Sequence, residues 1–290
     1  MMGMIDGHTR TCGLIGNPVE HTLSPLIHNT LAELLSHPLV YVPFHVEDEN
    51  VHKAVEGAYA LNVLGLNVTV PHKSRVMKSL VQVDELAEKI GAVNTLVRFG
   101  NGFKGYNTDM PGLYRAFLSE GIMLDGQEVV ILGAGGAARA VAFLCASKNV
   151  KKVYLMNRSA DKAAEVAKEV NSKSGRECVC PMALSDHGKL PEGRFLAIQA
   201  TSVGLYPNVD EVVIDDEDFY RKIHTGYDLI YKPRDTRFMQ LVKSHGGRAC
   251  HGLKMLLYQG VIAYELWNGV SVPEEIAMQV YGLLDEAAER

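Results

Sequence analysis

Hydrophobic and polar positions follow two alternating rhythms over most of the chain. Short apolar runs of strand length are followed by segments whose apolar residues recur at helical spacing. "TCGLIGN" predicts a strand and "SPLIHNTLAELLS" a helix, with Ser24 as its N-cap and Pro25 as its first residue. "VYVPFHV" (strand), "NVHKAVEGAYAL" (helix) and "GLNVTVP" (strand) come next, then a helical stretch through "DELAEKIG". "NTLVRFGNGFKGYNTD" predicts a hairpin, with Asn101 and Gly102 near its turn.

A second series begins at Gln127. "EVVILGAGG" is a continuous apolar strand running into glycines, and Ala138, Val141, Ala142 and Cys145 follow at helical spacing. "KVYLMNRS" predicts the next strand, and Ala163, Val166, Ala167 and Val170 mark the next helix. "FLAIQATS" and "TGYDLIY" are two more short buried strands. Continuous apolar strands that alternate with helices indicate parallel sheet covered on both faces, so the fold class is α/β. The C-terminal part is purely helical: "GLKMLLYQGVIAYELWNG", then "SVPEEIAMQVYGLLDEAAER", where Ser271 and Glu274 have capping-box spacing. Helices without a following strand do not extend the second sheet. They are expected to fold back onto the first, which gives a discontinuous domain of residues 1–109 and 251–290 around a Rossmann domain of residues 110–250.

Composition narrows the function. The 290 residues are 47% hydrophobic and 22% charged, an ordinary globular profile with room for a substantial core. A formal net charge of −5 argues against a nucleic-acid partner. Five cysteines, with a lone C-x-C at Cys178 and Cys180, fit reduced thiols in the cytoplasm and no metal site. The N-terminal segment lacks the apolar core of a signal peptide, and no apolar run is long enough to span a membrane.

"LGAGGAARA" places Gly133, Gly135 and Ala138 in a G-x-G-x-x-G/A pattern between a strand and a helix. Glycines there permit a tight turn and close approach of a pyrophosphate to the helix N-terminus. A tight turn that binds nothing is the other reading of the same residues. The following strand ends in Asn157, Arg158 and Ser159. An NAD enzyme usually has a carboxylate there for the ribose 2′-hydroxyl, whereas Arg158 suits the 2′-phosphate of NADP. A solvated arginine beside a helix-capping Ser159 is the alternative.

"NVTVPHK" sets Lys73 just beyond a strand whose Asn67 and Thr69 are unusual for a β core. "GAVNT" and "YNTD" bring Asn94, Asn107 and Asp109 to strand ends. Oxidation of a secondary alcohol needs an acceptor for the hydroxyl proton, and a Lys–Asp pair can supply one. Taken one at a time, each residue also fits a surface or capping position. A lysine that accepts a proton needs a lowered pKa, and a nearby aspartate opposes this. Either Lys73 takes the proton, or it stabilises alkoxide charge while Asp109 orients it.

"GNP-x2-H-T-x-S-P-x2-H-N", "NVTVPHK", "GAVNT", "NTD", "GAGGAAR", "NRS" and "GLKMLLYQG" occur in the order found in the shikimate dehydrogenase family, and the chain resembles that family from about residue 12 to 268. The resemblance implies an α/β substrate domain completed by the C-terminal helices, and an NADP-binding Rossmann domain. It implies reversible NADPH-dependent reduction of 3-dehydroshikimate to shikimate, a step toward chorismate and the aromatic amino acids, in a monomer or homodimer. By the same resemblance, Thr22 and Ser24 bind the substrate carboxylate. Asn67, Thr69, Asn94 and Gln259 surround the ring hydroxyls with Lys73 and Asp109, the catalytic pair, and Tyr231 stands near the substrate. The cofactor residues are Gly133, Ala134, Gly135, Gly136, Ala137, Asn157, Arg158, Ser159, Thr201 and Gly252.

Several positions depart from the family pattern. Thr22 stands where many members have serine, and its added methyl bears on shikimate-over-quinate preference. "VTVPHK" resembles the shikimate-specific branch rather than the "VSMPNK" of dual enzymes. Gln199 replaces the asparagine of "NATS", and His251 and Lys254 replace the Asp and Gly of "DGLGML". The competing expectations are a quinate/shikimate dehydrogenase using NAD or both cofactors, and a non-catalytic metabolite sensor. Retention of Lys73 and Asp109 favours an enzyme.

Overall fold

The computed structural model describes residues 5–289. They fall into two compact units: residues up to Leu113 with Leu256–Ala287, and Tyr114–Met255 with the last residues of the chain. The two main divisions fall after Leu113 and Met255, whereas the sequence reading placed them after residues 109 and 250.

The first unit opens with β1 (Arg10–Gly16), α1 (Ser24–Leu34), β2 (Leu39–His45), α2 (Val51–Ala60) and β3 (Gly65–Val68). Then come β4 (Gln82–Val83), α3 (Glu85–Ile90), β5 (Thr95–Phe99), β6 (Gly102–Tyr106) and the start of α4 (Asp109–Ser119). The strands form one mixed sheet in the order β2-β1-β3-β5-β6-β4. β1 pairs in parallel with β2 and β3, and β5 pairs antiparallel with β3 and β6. The hairpin loop is Gly100-Asn101, since Gly102 already pairs with Phe99, and Gly100 takes the φ of +56° that the turn needs.

The second unit holds β7 (Glu128–Leu132), α5 (Gly136–Ser147), β8 (Lys152–Asn157), α6 (Ala160–Ser174), β9 (Val179–Ala183) and β10 (Phe195–Gln199). It continues with α7 (Glu217–Arg221), β11 (Ile223–Asp228), α8 (Arg237–Ser244) and β12 (Arg248–His251). Its sheet is parallel throughout, in the order β12-β11-β10-β7-β8-β9. Central strands are apolar because both faces are covered: Val129, Val130, Ile131 and Leu132 of β7 are fully buried.

The last helices, α9 (Leu253–Asn268) and α10 (Glu274–Glu289), return the chain to the first unit. Trp267 of α9 donates its indole N–H to the Leu96 carbonyl at 2.9 Å and lies against Gly65 of β3. A Cβ at Gly65 would come within 2.1 Å of that indole, so a bare backbone there lets the helix seat on the sheet.

Two capping expectations are corrected. Leu23 is the N-cap of α1 and makes no side-chain cap, so Ser24 is a helical residue beside Pro25. α10 begins at Glu274, three residues beyond Ser271, and the Pro273 carbonyl receives the Ala277 N–H at 3.1 Å. Glu274 lies in the first turn rather than at the third helical position that a capping box requires.

Candidate active site

In the first unit the polar residues of β3, β5 and the start of α4 meet. Asn67 points from the middle of β3 and is 4% exposed. It donates to the Asn94 carbonyl at 3.2 Å and to Thr95 Oγ1 at 3.1 Å, and its Oδ1 accepts from the Tyr41 hydroxyl at 2.8 Å. Asn94, also buried, accepts the Thr108 backbone N–H at 2.7 Å and donates to Thr108 Oγ1 at 3.0 Å and Asp109 Oδ1 at 2.9 Å. The other carboxylate oxygen of Asp109 receives Lys73 Nζ at 2.7 Å. Lys73 is itself anchored, because its carbonyl accepts the Val93 N–H at 2.8 Å. The two charged side chains are 32% and 21% exposed, so the ammonium and carboxylate face solvent from a supported base. Asn107 adds a local cap, accepting the Met110 N–H at 3.2 Å at the start of α4.

Thr22 and Ser24 form a second polar group. Thr22 Oγ1 donates to Ser24 Oγ at 3.1 Å and accepts the Ser24 N–H at 3.2 Å. Thr69 follows β3 directly, and its methyl occupies the space that a Cβ on Gly16 would enter at 2.3 Å. Gln259 lies on α9, with its amide turned to its own helix through the Leu256 carbonyl at 2.8 Å. Gly112 lets α4 pack on that point: a Cβ there would sit 2.6 Å from the Gln259 backbone nitrogen. Tyr231 belongs to the second unit, where burial pushes its phenol above its ordinary pKa.

Thr95, Thr108 and Tyr41 were not singled out by sequence reasoning. The two threonines are buried almost completely. They adjoin Asn94 and Asp109 inside "GAVNT" and "NTD", and that adjacency was the available signal. Tyr41 gave none, since an aromatic in a strand reads as core.

In the second unit, β7 runs through Gly133, Ala134 and Gly135 into α5. Gly133 has a φ of +115°, and a Cβ there would lie 2.9 Å from the Thr201 methyl and 3.1 Å from the Ala200 carbonyl oxygen. Gly135 and Gly136 have nothing within 4 Å of an added Cβ, and Ala137 follows in the first turn of α5. Gly135 is the N-cap and supplies no side-chain acceptor, which leaves first-turn N–H groups available to an anion. At the end of β8, Asn157 donates to the Ser159 carbonyl at 3.0 Å, and Ser159 caps α6 by accepting the Lys162 N–H at 3.3 Å. A cavity of about 790 Å³ is lined by Gly133, Asn157, Arg158, Thr201 and Arg237, with Asp210, Glu211 and Asp215 also at its wall. Gly252 lies against the Leu229 carbonyl, which a Cβ would approach to 2.2 Å.

This architecture has known counterparts. Residues 14–96 match the shikimate dehydrogenase substrate binding domain, residues 118–182 the shikimate/quinate 5-dehydrogenase family, and residues 252–280 the shikimate 5′-dehydrogenase C-terminal domain. A curated NADP(+) shikimate dehydrogenase from Desulforamulus reducens is 41% identical, over 95% of this chain and 96% of that protein. The chain belongs to the shikimate dehydrogenase family. Among solved structures, a shikimate dehydrogenase in complex with NADP+ superposes with a TM-score of 0.86 at 37% identity, covering 97% of each chain. A shikimate 5-dehydrogenase from Listeria monocytogenes, in complex with shikimate and NAD, does so at 0.88 and 32%, covering 97% of this chain and 99% of that one.

Within this shikimate dehydrogenase fold the departures from the family pattern acquire physical reasons. Gln199 is buried and spans the loop after β10. Its Oε1 accepts the Thr201 N–H at 2.5 Å and its Nε2 donates to the Val203 carbonyl at 3.0 Å. Lys254 Nζ contacts Glu120 Oε1 at 2.5 Å, and Arg248 binds the other oxygen of the same carboxylate. The Lys254 charge is thus neutralised inside the second unit. His251 ends β12 opposite Asp228 of β11, and its Nδ1 accepts the Leu253 N–H. Among the described residues, no helix is long and apolar enough to cross a membrane.

Proposed function

We propose that the chain is an NADP-dependent shikimate dehydrogenase in which Lys73 and Asp109 handle the proton while hydride moves to or from C3 of the substrate. Support comes from the 2.7 Å contact between Lys73 and Asp109, held from behind by Asn94. Thr22 and Ser24, two adjacent hydroxyls, hold the substrate carboxylate without a counter-charge. Asn67, Thr69, Asn94 and Gln259 surround the ring hydroxyls, and Tyr231 is the tyrosine that the family resemblance sets near the substrate. Lys73 is the group that gives the proton to the forming alkoxide, and Asp109 holds the ammonium in place.

NADPH supplies the hydride when bound. The uncapped start of α5 and the bare glycines Gly133, Gly135 and Gly136 suit its pyrophosphate, with Ala134 and Ala137 beside them. Arg158 takes the 2′-phosphate, Asn157 and Ser159 shape its turn, and Thr201 and Gly252 complete the cofactor side. The enzyme works in the cytoplasm as a monomer or homodimer, where its free cysteines stay reduced.

Initial rates at 340 nm with shikimate or quinate, each with NADP and NAD, test the reading. Shikimate with NADP is expected to give the highest kcat/KM. Equal rates for quinate, or for NAD, would move the chain to the dual branch.

A further inference from the structure

The opening motif "SPLIHN" contains two residues that substrate binding leaves without a part, His28 and Asn29. Both serve Tyr41. The His28 ring stacks on the Tyr41 ring at a centroid distance of 4.2 Å and an interplanar angle of 17°. The Asn29 amide pairs with the Tyr41 main chain in both directions, accepting its N–H at 2.8 Å and donating to its carbonyl at 3.0 Å. Trp267 packs beside both rings, 5.0 Å from His28 and 6.1 Å from Tyr41 between centroids. A tyrosine held at ring and backbone, and 1% exposed, has a hydroxyl fixed in space. That hydroxyl donates to Asn67 Oδ1 at 2.8 Å.

The orientation of the Asn67 amide follows from its neighbours. The Asn94 carbonyl can only accept, so the Asn67 nitrogen must face it. The opposite flip would set two carbonyl oxygens against each other. Oδ1 therefore faces Tyr41, and the phenol must donate; burial pushes the Tyr41 phenol well above its ordinary pKa and keeps its proton in place. A carboxamide has two N–H donors and two acceptor lone pairs. Both donors of Asn67 are taken, by Asn94 O and Thr95 Oγ1, and one lone pair is taken by Tyr41.

We propose that Tyr41 is a positioning residue that anchors the Oδ1 of an Asn67 whose two N–H donors are already committed, so that Asn67 meets a ligand only as an acceptor, selecting a hydroxyl and rejecting a carbonyl or carboxylate oxygen at its position. The proposal rests on the reading of shikimate as the ligand and refines it. Asn67 then meets a hydroxyl that does not react, on C4 or C5, and not the C3 oxygen, which is a carbonyl on one side of the reaction.

The test compares wild type with Tyr41→Phe, which keeps the ring stacked on His28 and removes only the hydroxyl. Shikimate, 4-deoxyshikimate and 5-deoxyshikimate are offered with NADP. KM for shikimate is expected to rise about three- to tenfold, the effect of one neutral hydrogen bond, with kcat changed less than about threefold. The same rise is expected for one deoxy analogue and none for the analogue that lacks the selected hydroxyl. An unchanged KM, or an equal rise for all three ligands, would overturn the proposal. A second readout needs no variant. In free wild-type protein both Asn67 Nδ2 protons are expected to exchange slowly with water, and fast exchange of either would overturn the assigned amide orientation. Failure of wild type to oxidise shikimate would instead overturn the substrate reading, and the exchange result would still stand on its own.

Discussion

Strands β3 and β7 both lie in the interior of their sheets and are buried along most of their length, yet only β3 carries an amide in its middle. A buried amide costs a few kcal/mol unless its hydrogen bonds are met, and Asn67 meets them through Tyr41, Thr95 and the Asn94 backbone. β7 carries no such obligation. In the proposed function its chemistry is delegated to main-chain N–H groups beyond its C-terminal end and to side chains at the end of the neighbouring strand, where a parallel α/β sheet binds its ligands. The substrate half is thus wired through side chains, and a change at one member reaches the next. In the proposed reading the cofactor half is wired through backbone, and its specificity sits on single exposed residues.

The sharpest way to break this contrast is Asp109→Asn. An amide there can accept from Asn94 only by turning its own N–H groups toward Lys73, donor against donor. kcat is expected to fall about 10²-fold or more, with KM for NADP unchanged, as steady-state kinetics would read. A normal kcat would show that Asn94, Asp109 and Lys73 do not act as a unit.

Arg158→Ala tests the opposite half. Its effect is expected to stay local: KM for NADP rises at least about tenfold, while KM for NAD and for shikimate stays nearly flat. The salt dependence of NADP binding should weaken with it, because an exposed ion pair is screened. A comparable rise in the KM for NAD would remove Arg158 from the 2′-phosphate.

One buried titratable group in each half responds to acid with opposite sign. In the first unit, burial lowers the His28 pKa from 6.5 to about 3, so the unfolded chain binds a proton that the folded one refuses. Stability from His28 is complete above pH 6.5 and is lost as pH falls toward 3. In the second unit, burial raises the Asp228 pKa from 3.8 to about 6, against the opposing bonds from Thr236 and the Ile230 N–H. Here the folded state binds the extra proton, so stability falls as pH rises from 3.8 to 6. Between pH 4 and 6 the His28 contribution to hydrogen exchange in β3 and the Asp228 contribution in β11 should have slopes of opposite sign, each at most about 1.4 kcal/mol per pH unit. Asp228→Asn should flatten only the second slope, and His28→Phe only the first.

The smallest expected effect is at Ser24. Since Leu23 is the N-cap, Ser24→Ala should leave stability within about 0.5 kcal/mol and raise KM for shikimate about two- to tenfold. A loss of melting temperature with unchanged KM would return Ser24 to a structural role.

The central strands and the glycine turn were legible because each announces itself locally. Apolar runs such as "VVIL" need no partner to be recognised, and the spacing of Gly133, Gly135 and Ala138 is fixed by turn geometry. Edge strands β9 and β12 escaped, since Pro181 and Arg248 break the apolar run and only pairing to β8 and β11 makes them strands. Helix α4 escaped because Pro111 and Gly112 fall in its first turn; proline is tolerated there, and Gly112 is required by the close approach to Gln259. In the candidate site, Lys73 and Asp109 were visible as charges at strand ends. Thr95 and Thr108 were signalled only by their adjacency to Asn94 and Asp109, and Tyr41 not at all, because its bond to Asn67 runs between strands that local sequence does not pair.

The most direct test of the account is single-turnover stopped flow with Lys73→Ala, following NADPH formation at 340 nm alongside calorimetric binding of shikimate. The Lys73–Asp109 pair is expected to serve chemistry more than binding. Kd for shikimate should therefore stay within about threefold of wild type, while the hydride-transfer rate falls about 10²- to 10⁴-fold. A transfer rate near wild type, with Kd for shikimate raised tenfold or more, would contradict that claim and make Lys73 a binding residue only.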